Sequence, residues 1–261
     1  MPLPTPSARA IILPSTTERM NAVSLSPALH AALDRPVWSA LEGGHRHLAL
    51  GGPLAKRYPR EIGPFAAVAD EAIADDSRVA WEALATLLLP GEAAMLVTRD
   101  APRAAPAQAA GLTLTPLDPV LQMVATGEPA PATLAFAVLG EADAPEMRAL
   151  AGLTNPGPFA ERTHELGEFL GIREDSRLAA MTGERMRPHG AVEVSAVCVH
   201  PAHRGKAYAR HLLAERTRRI LAQGQQPFLH VYPSNAGAIT LYESLGYVLR
   251  RQLHLTRVMR A

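Results

Sequence analysis

Residues 197–213 read VCVHPAHRGKAYARHLL, and the turn in this stretch gathers Arg204, Gly205, Lys206, Ala207, Tyr208, Ala209 and Arg210 ahead of a helical pattern. A strand that passes through a Gly-containing turn into a helix N-terminus aims several unpaired N–H groups, and the positive end of the helix dipole, at one point. That is an anion site. Gly205 lets a ligand come close to the backbone, while Arg204, Lys206 and Arg210 add mobile positive charge. A plain helix cap with a solvated basic turn has the same composition, so a second motif has to decide between them.

That motif is NAGAITLYESLGY, residues 235–247. Asn235 and Tyr242 are seven positions apart on a helical pattern, which places them on one face with about 10 Å between their Cα atoms at 1.5 Å per residue. Both polar groups can then face one ligand. Taken singly, Asn235 is also a good helix cap and Tyr242 a ring buried with its hydroxyl in water.

Together the two motifs resemble the GNAT superfamily of acyl-CoA-dependent N-acyltransferases, whose phosphate loop follows [QR]-x-x-G-x-[GA] after the fourth strand. Arg204, Ala207 and Ala209 occupy the named positions, with alanine where the pattern has its first glycine. The second motif of the superfamily is matched by Asn235, Ala238, Leu241, Tyr242, Leu245, Gly246 and Tyr247. The resemblance covers residues 133–259 and is strongest to the glycine-N-acyltransferase-like branch, whose members carry a degenerate GNAT-like half upstream.

The resemblance implies acetyl-CoA, or another acyl-CoA, as co-substrate, lying between the fourth and fifth strands and requiring no metal. Backbone groups of Val197, Cys198 and Val199 would meet its pantetheine arm. The N–H groups of 205–210 would meet its pyrophosphate, Asn235 its amide region, and the Tyr242 hydroxyl the departing sulfur. Cys198 needs no covalent role in such direct transfer. If Ala207 is left-handed, its methyl group costs about 1 to 2 kcal/mol. The implied reaction passes the acyl group to a primary amine of a small molecule. A non-catalytic acyl-CoA-binding module and an acetyltransferase of protein N-termini or lysines are the alternatives.

An attacking amine must lose a proton to a base of suitable pKa. Glu193 begins the strand AVEVSAVCVH, and simple alternation puts it on one face with Ser195, Val197 and Val199 unless a bulge reverses the parity. His230, central in FLHVY, has the ordinary pKa better suited to the task. Glu184 is a third candidate. His45 and His47 form a His-x-His pair with no further ligand in view, and His200, His203 and His211 cluster around the phosphate loop rather than in a metal pattern.

The elements that must position these groups follow from the pattern. A helix is expected over 27–41, short strands near 46–52 and 63–70, and a helix over 77–89 capped by Asp76 or Ser77. A buried strand should follow over 93–98, a loop over 100–111 and a linker over 127–133. The second half then gives strand, helix (capped by Asp143), hairpin (turning at Asp175-Ser176), strand, phosphate loop, helix, strand, helix and a final strand or strand pair. This is a mixed α/β class, a mostly antiparallel sheet with helices on both faces, preceded by a smaller degenerate half. The expected division is a disordered leader over 1–27, a first half over 28–128 that forms a separate lobe, and a catalytic half over 129–261. The first half would wall the acceptor pocket or carry a homodimer interface.

Composition narrows the classes. The net charge is +1, but beyond Gly190 Lys and Arg outnumber Asp and Glu by about three to one, which suits a polyanionic ligand. Nucleic acid is disfavoured, because the basic residues lack interleaved aromatics. A single cysteine excludes an intramolecular disulfide framework. No apolar run nears the roughly 20 residues of a membrane span, and no secretory h-region is visible, so a cytoplasmic protein away from membranes is expected.

Overall fold

The computed structural model describes residues 25–69 and 78–261. The expected leader, apart from its last residues, and the expected caps at Asp76 and Ser77 lie outside them. Proline shapes the first elements. In place of one helix there are two, α1 (Pro27–Asp34) and α2 (Pro36–Glu42), because Pro36 has no N–H for the ladder and pushes Arg35 out of the α region, to φ −134°. Ser26 caps α1 by accepting from the Leu29 N–H at 3.2 Å. β1 (Leu50–Gly51), β2 (Ala55–Arg57) and β3 (Ala66–Val68) make a small antiparallel sheet. α3 (Val79–Leu87) and β4 (Ala93–Thr98) follow. The segment expected as a loop holds a further helix, α4 (Ala104–Ala109), before β5 (Leu112–Pro116) and β6 (Val120–Ala125).

The second half runs β7 (Ala137–Leu139), α5 (Ala144–Thr154), β8 (Phe169–Glu174) and β9 (Arg177–Glu184). Asp175 and Ser176 join β8 to β9 with φ 47° and 66°, the two left-handed residues that a tight hairpin turn requires. Next come β10 (Ala191–Val199), α6 (Tyr208–Ala222), β11 (Gln226–Val231), α7 (Ala236–Glu243) and β12 (Tyr247–Arg260), the last a single long strand.

Among the described residues a nine-stranded sheet carries both halves, in the order β4-β12-β6-β11-β10-β9-β8-β7, with β5 also on β12. Its pairs are antiparallel except β10 with β11. The fold is thus the mixed, mostly antiparallel α/β arrangement with helices against its faces.

The expected boundary at 128 falls in the loop from β6 to β7, yet the sheet crosses it, since β6 pairs with β11 on one side and β12 on the other. The halves also share a core, in which Leu33, Val37 and Val97 pack with Leu166, Phe228 and Leu253. The first half therefore does not stand apart as a lobe, because burying β6 on both edges requires strands of the second half.

His45 stitches the halves together. It is 1% exposed, with Nδ1 at 2.8 Å from the Tyr58 hydroxyl and Nε2 at 2.9 Å from the Leu166 carbonyl. A carbonyl only accepts, so Nε2 carries the proton and Nδ1 accepts from Tyr58. Both ring nitrogens are occupied, and the His45–His47 pair has no free His45 nitrogen to offer a metal. Burial drives the His45 pKa down from 6.5 to about 4. Below pH 6.5 the unfolded chain therefore binds a proton that the folded chain refuses. This part of the stability is whole above pH 6.5 and is lost as pH falls toward 4, amounting to about 2 to 4 kcal/mol. Urea unfolding at stepped pH should show that loss, and His45→Gln should flatten it. An unchanged slope in the variant would place the acid sensitivity elsewhere.

Candidate functional site

β10 and β11 pair in parallel from Ala191↔Gln226 to Glu193↔Phe228 and then part. Ala196, at φ 51°, is an extra residue in β10, and the register with β9 slips by one between Ser195 and Cys198. Such a bulge bends its strand and sharpens the twist. The outer edges of β10 and β11 stay bound to β9 and β6, so their facing edges hold open backbone groups beyond Glu193 and Phe228. The gap is a cleft of about 470 Å³, which shares Val197 and Ala209 in its wall with a second cavity of about 340 Å³. The bulge also corrects the simple alternation. Glu193 and Ser195 share a face with Cys198, while Val197 and Val199 join Val194 on the side facing α6.

The smaller cavity is built on the phosphate loop, with Val197, Cys198, Val199, Arg204, Gly205, Ala207, Tyr208 and Ala209 around it. Ala207 caps α6 in the left-handed region at φ 57°. Gly205 sits at φ 81° with no atom within 4 Å of where a Cβ would stand, so its conformation, and not crowding, demands glycine. The ladder of α6 begins with the His211 N–H donating to Ala207 at 3.1 Å, and the N–H groups before it lie outside the ladder. Three of the expected ligand side chains are anchors. Lys206 reaches Glu174 at 3.1 Å, the buried Tyr208 donates its hydroxyl to the same carboxylate, and Arg210 bonds the Ser244 hydroxyl at 2.8 Å. Cys198 is a packing residue against Met147, Leu150 and Met181, and burial pushes its thiol up to about 11.

Asn235 and Tyr242 both line the larger cleft. The Asn235 Oδ1 is spent on the cap of α7, accepting from the Ala238 N–H at 3.2 Å, which leaves its amide N–H groups for a ligand. Tyr242 packs on Tyr247 with ring centroids 6.2 Å apart. Burial raises the pKa of Tyr242, against an opposing pull from Arg185. The phenol is therefore protonated at neutral pH.

The polar floor of the cleft is a buried chain. Glu193 is wholly buried, and its Oε1 accepts from His230 Nδ1 at 2.7 Å and from Arg185 Nη2. Burial alone would push this carboxyl up, but Arg185 and His230 outweigh it and hold it down at about 2. An ionised carboxylate only accepts, so Nδ1 carries the ring proton and Nε2 has the lone pair, 3.2 Å from the Gln122 amide nitrogen. Gln122 also donates to the Leu33 carbonyl at 2.9 Å and accepts from Arg250 at 2.7 Å, while Arg250 pairs with Asp34 at 2.6 Å. Of the expected bases, His230 lines the cleft and Glu193 stands behind it. Glu184 lies on the α6 face, ion-paired with Arg187 at 2.7 Å and Arg216 at 3.2 Å, and does not reach the cleft.

Sequence reasoning missed Arg185, which lies over the Phe65 ring at 5.4 Å, and Gln122. It also missed the residues of the apolar wall, Phe65, Met95, Val97, Val120 and Leu255. The signal for Gln122 was there, as one amide inside the apolar run VLQMVA.

A family model described as FR47-like protein matches residues 169–256. None of the curated proteins matches the sequence. Among solved structures, the chain is similar to an acetyltransferase of the GNAT family from Novosphingobium aromaticivorans. The two are 39% identical, with 88% of this chain and 99% of that one covered and a TM-score of 0.78. It also shares its fold with a GCN5-related N-acetyltransferase from Kribbella flavida, at 20% identity, 90% and 96% coverage and a TM-score of 0.59.

The left-handed Ala207 gives a direct test of the loop. Glycine removes the methyl clash, worth about 1 to 2 kcal/mol, and returns part of that as unfolded-chain entropy, about 0.4 to 1 kcal/mol. Ala207→Gly should therefore stabilise the fold by about 0.5 to 1 kcal/mol in urea titration. A less stable variant would show that position 207 is not left-handed in solution.

Proposed function

Since the chain belongs to the GNAT family of acetyltransferases, we propose that it transfers an acetyl group from acetyl-CoA to the primary amine of a small molecule. The observation that carries this reading is a pair of cavities with Val197 and Ala209 in their common wall, one built on the N–H-rich loop and the other lined by Tyr242 and His230.

The residues fit such a co-substrate. The N–H groups at 205–210 suit a pyrophosphate, and Arg204 adds a cation beside them. The open edge of β10 beyond Glu193 offers backbone donors and acceptors to an extended amide-bearing arm, and Asn235 offers an amide. Acetyl-CoA supplies a thioester, an electrophilic carbonyl with a sulfur that leaves.

The chain supplies the proton transfers. Glu193, held at about 2, is too weak a base for an amine. Its role is to orient His230 and to stabilise the ring when it gains a proton, as a buried carboxylate does for the histidine of a catalytic triad. His230 takes the amine proton on Nε2, giving up the 3.2 Å contact with Gln122. Tyr242 gives its proton to the sulfur as the carbon–nitrogen bond forms and the carbon–sulfur bond breaks, and the His230 proton then returns to Tyr242 through solvent. Cys198, buried and protonated, takes no covalent part.

The motif likeness to glycine-N-acyltransferase-like enzymes supports a small acceptor over a protein one, as does the apolar wall that the first half sets beside His230. No helix among the described residues is long and apolar enough to cross a membrane. A cytoplasmic site of action suits a co-substrate of this kind.

The test is thiol release from acetyl-CoA in the presence of amines, with Tyr242→Phe as the diagnostic variant. A phenol that acts only as the sulfur departs should affect turnover more than binding. Turnover should fall by up to about 100-fold, with acetyl-CoA affinity changed by less than about 1 kcal/mol. The alkaline limb of the wild-type profile due to this group should lie above the ordinary phenol value of 10. Unchanged turnover in Tyr242→Phe would reduce Tyr242 to packing.

A further inference from the structure

The acceptor end of the cleft is apolar and electrically closed. Phe65, Met95, Val97, Val120, Met186 and Leu255 line it, and all but Met95 are buried. Among the described lining residues the fixed charge is Arg185, already paired with Glu193 and covered by the Phe65 ring.

Two acceptor classes fit this badly. A polyamine would bring a second ammonium, and among the described residues that line the cleft none is a carboxylate, while Glu193 behind it is wholly buried and engaged by Arg185 and His230. An amino acid would bring a carboxylate, and among the described lining residues the fixed cation is Arg185, whose charge Glu193 already cancels. Either would leave an ion desolvated without a partner, which costs several kcal/mol. An uncharged apolar body gains about 25 cal/mol for each Å² that it buries on the same wall.

Resting on the acetyl-transfer reading above, we propose that the acceptor is a primary monoamine on an uncharged aliphatic or aromatic body. The body packs on Phe65, Met95, Val97, Val120 and Leu255, and the nitrogen lies at His230. The product is the neutral N-acetyl amide. One amine proton goes to His230 and the Tyr242 proton to the sulfur, so CoA leaves as the free thiol.

The experiment measures kcat/KM by thiol release at saturating acetyl-CoA for three pairs of amines, namely benzylamine and hexylamine, putrescine and spermidine, glycine and glutamate. The first pair should exceed the others by at least about 100-fold. Met95→Glu, checked for folding by its melting curve, should raise KM for hexylamine at least about tenfold and admit putrescine, while Met95→Leu should keep the wild-type order. A preference for the polyamines or the amino acids would overturn the acceptor class and leave acetyl transfer standing. Acetylation of a lysine peptide with none of the six amines turned over would overturn it as well, and the small-molecule reading with it. Failure to bind acetyl-CoA in calorimetry would remove the acetyl-transfer reading itself.

Discussion

The parting of β10 from β11 is the constraint on which the rest depends. Parallel strands that pair for three residues and then separate leave two rows of backbone donors and acceptors inside the protein, and such groups need partners. The bulge at Ala196 bends one strand away, and the outer edges stay fastened to β9 and β6, so the gap cannot close by sliding. A protein could fill such a gap with side chains. This one lines it with small or receding residues such as Ala196, Val197, Ala209 and Ala238, and places the N-terminus of α6 at its mouth. The opening is thereby shaped for a long polar ligand with an anionic end.

A buried charge organises the other end. Taking Glu193 out of water costs several kcal/mol unless its attraction to partners repays it, and Arg185, the residue after β9, and His230 of β11 do so from two sides. Arg185 in turn leans on Phe65, and His230 leans on Gln122, whose other contacts run to Leu33 and Arg250. The ionisation state of the floor is thus fixed by residues from α1, β6, β10, β11 and β12 and by Arg185 in the segment after β9. A histidine held in one tautomer by a carboxylate on one nitrogen is a defined proton acceptor on the other.

Much of the second half was legible because its signals are local. Gly224 ends α6 at φ 69°, Asp175-Ser176 turns the hairpin, and the loop and Asn–Tyr motifs fall where helices begin. Asn235 and Tyr242 do line one cleft, as their spacing allowed, and His230 lines it as well. Glu193 and Ser195 keep the face that alternation gives them, but the bulge moves Val197 and Val199 to the other, and nothing in AVEVSAVCV marks Ala196 as left-handed. The first half was harder to read. β5 and β6 are short and pair only with distant strands, α4 hides in an Ala/Pro-rich stretch, and Arg35-Pro36 splits a helix whose apolar spacing looks continuous. Arg185 shows no periodicity or motif, and its role exists only through Glu193 eight residues on.

The position of β6 explains why the segment that the family model matches is joined to the first half. The family match at 169–256 spans β8 to most of β12, but the strand between β11 and β12 is β6, residues 120–125. Without it, β11 would lose its antiparallel partner for Phe228–Val231, the segment that carries His230, and β12 would lose its first six paired residues, from Tyr247 to Leu253. The same strand brings Gln122 to His230 and Val120 to the apolar wall. The second half of β12 then pairs with β4 and β5, which fixes Met95 and Val97 in the same cleft as His230 and Tyr242. One inserted strand thus makes the pairing of β11 and β12, the contact to His230 and the apolar wall of the cleft depend on the same hydrogen-bonded ladder.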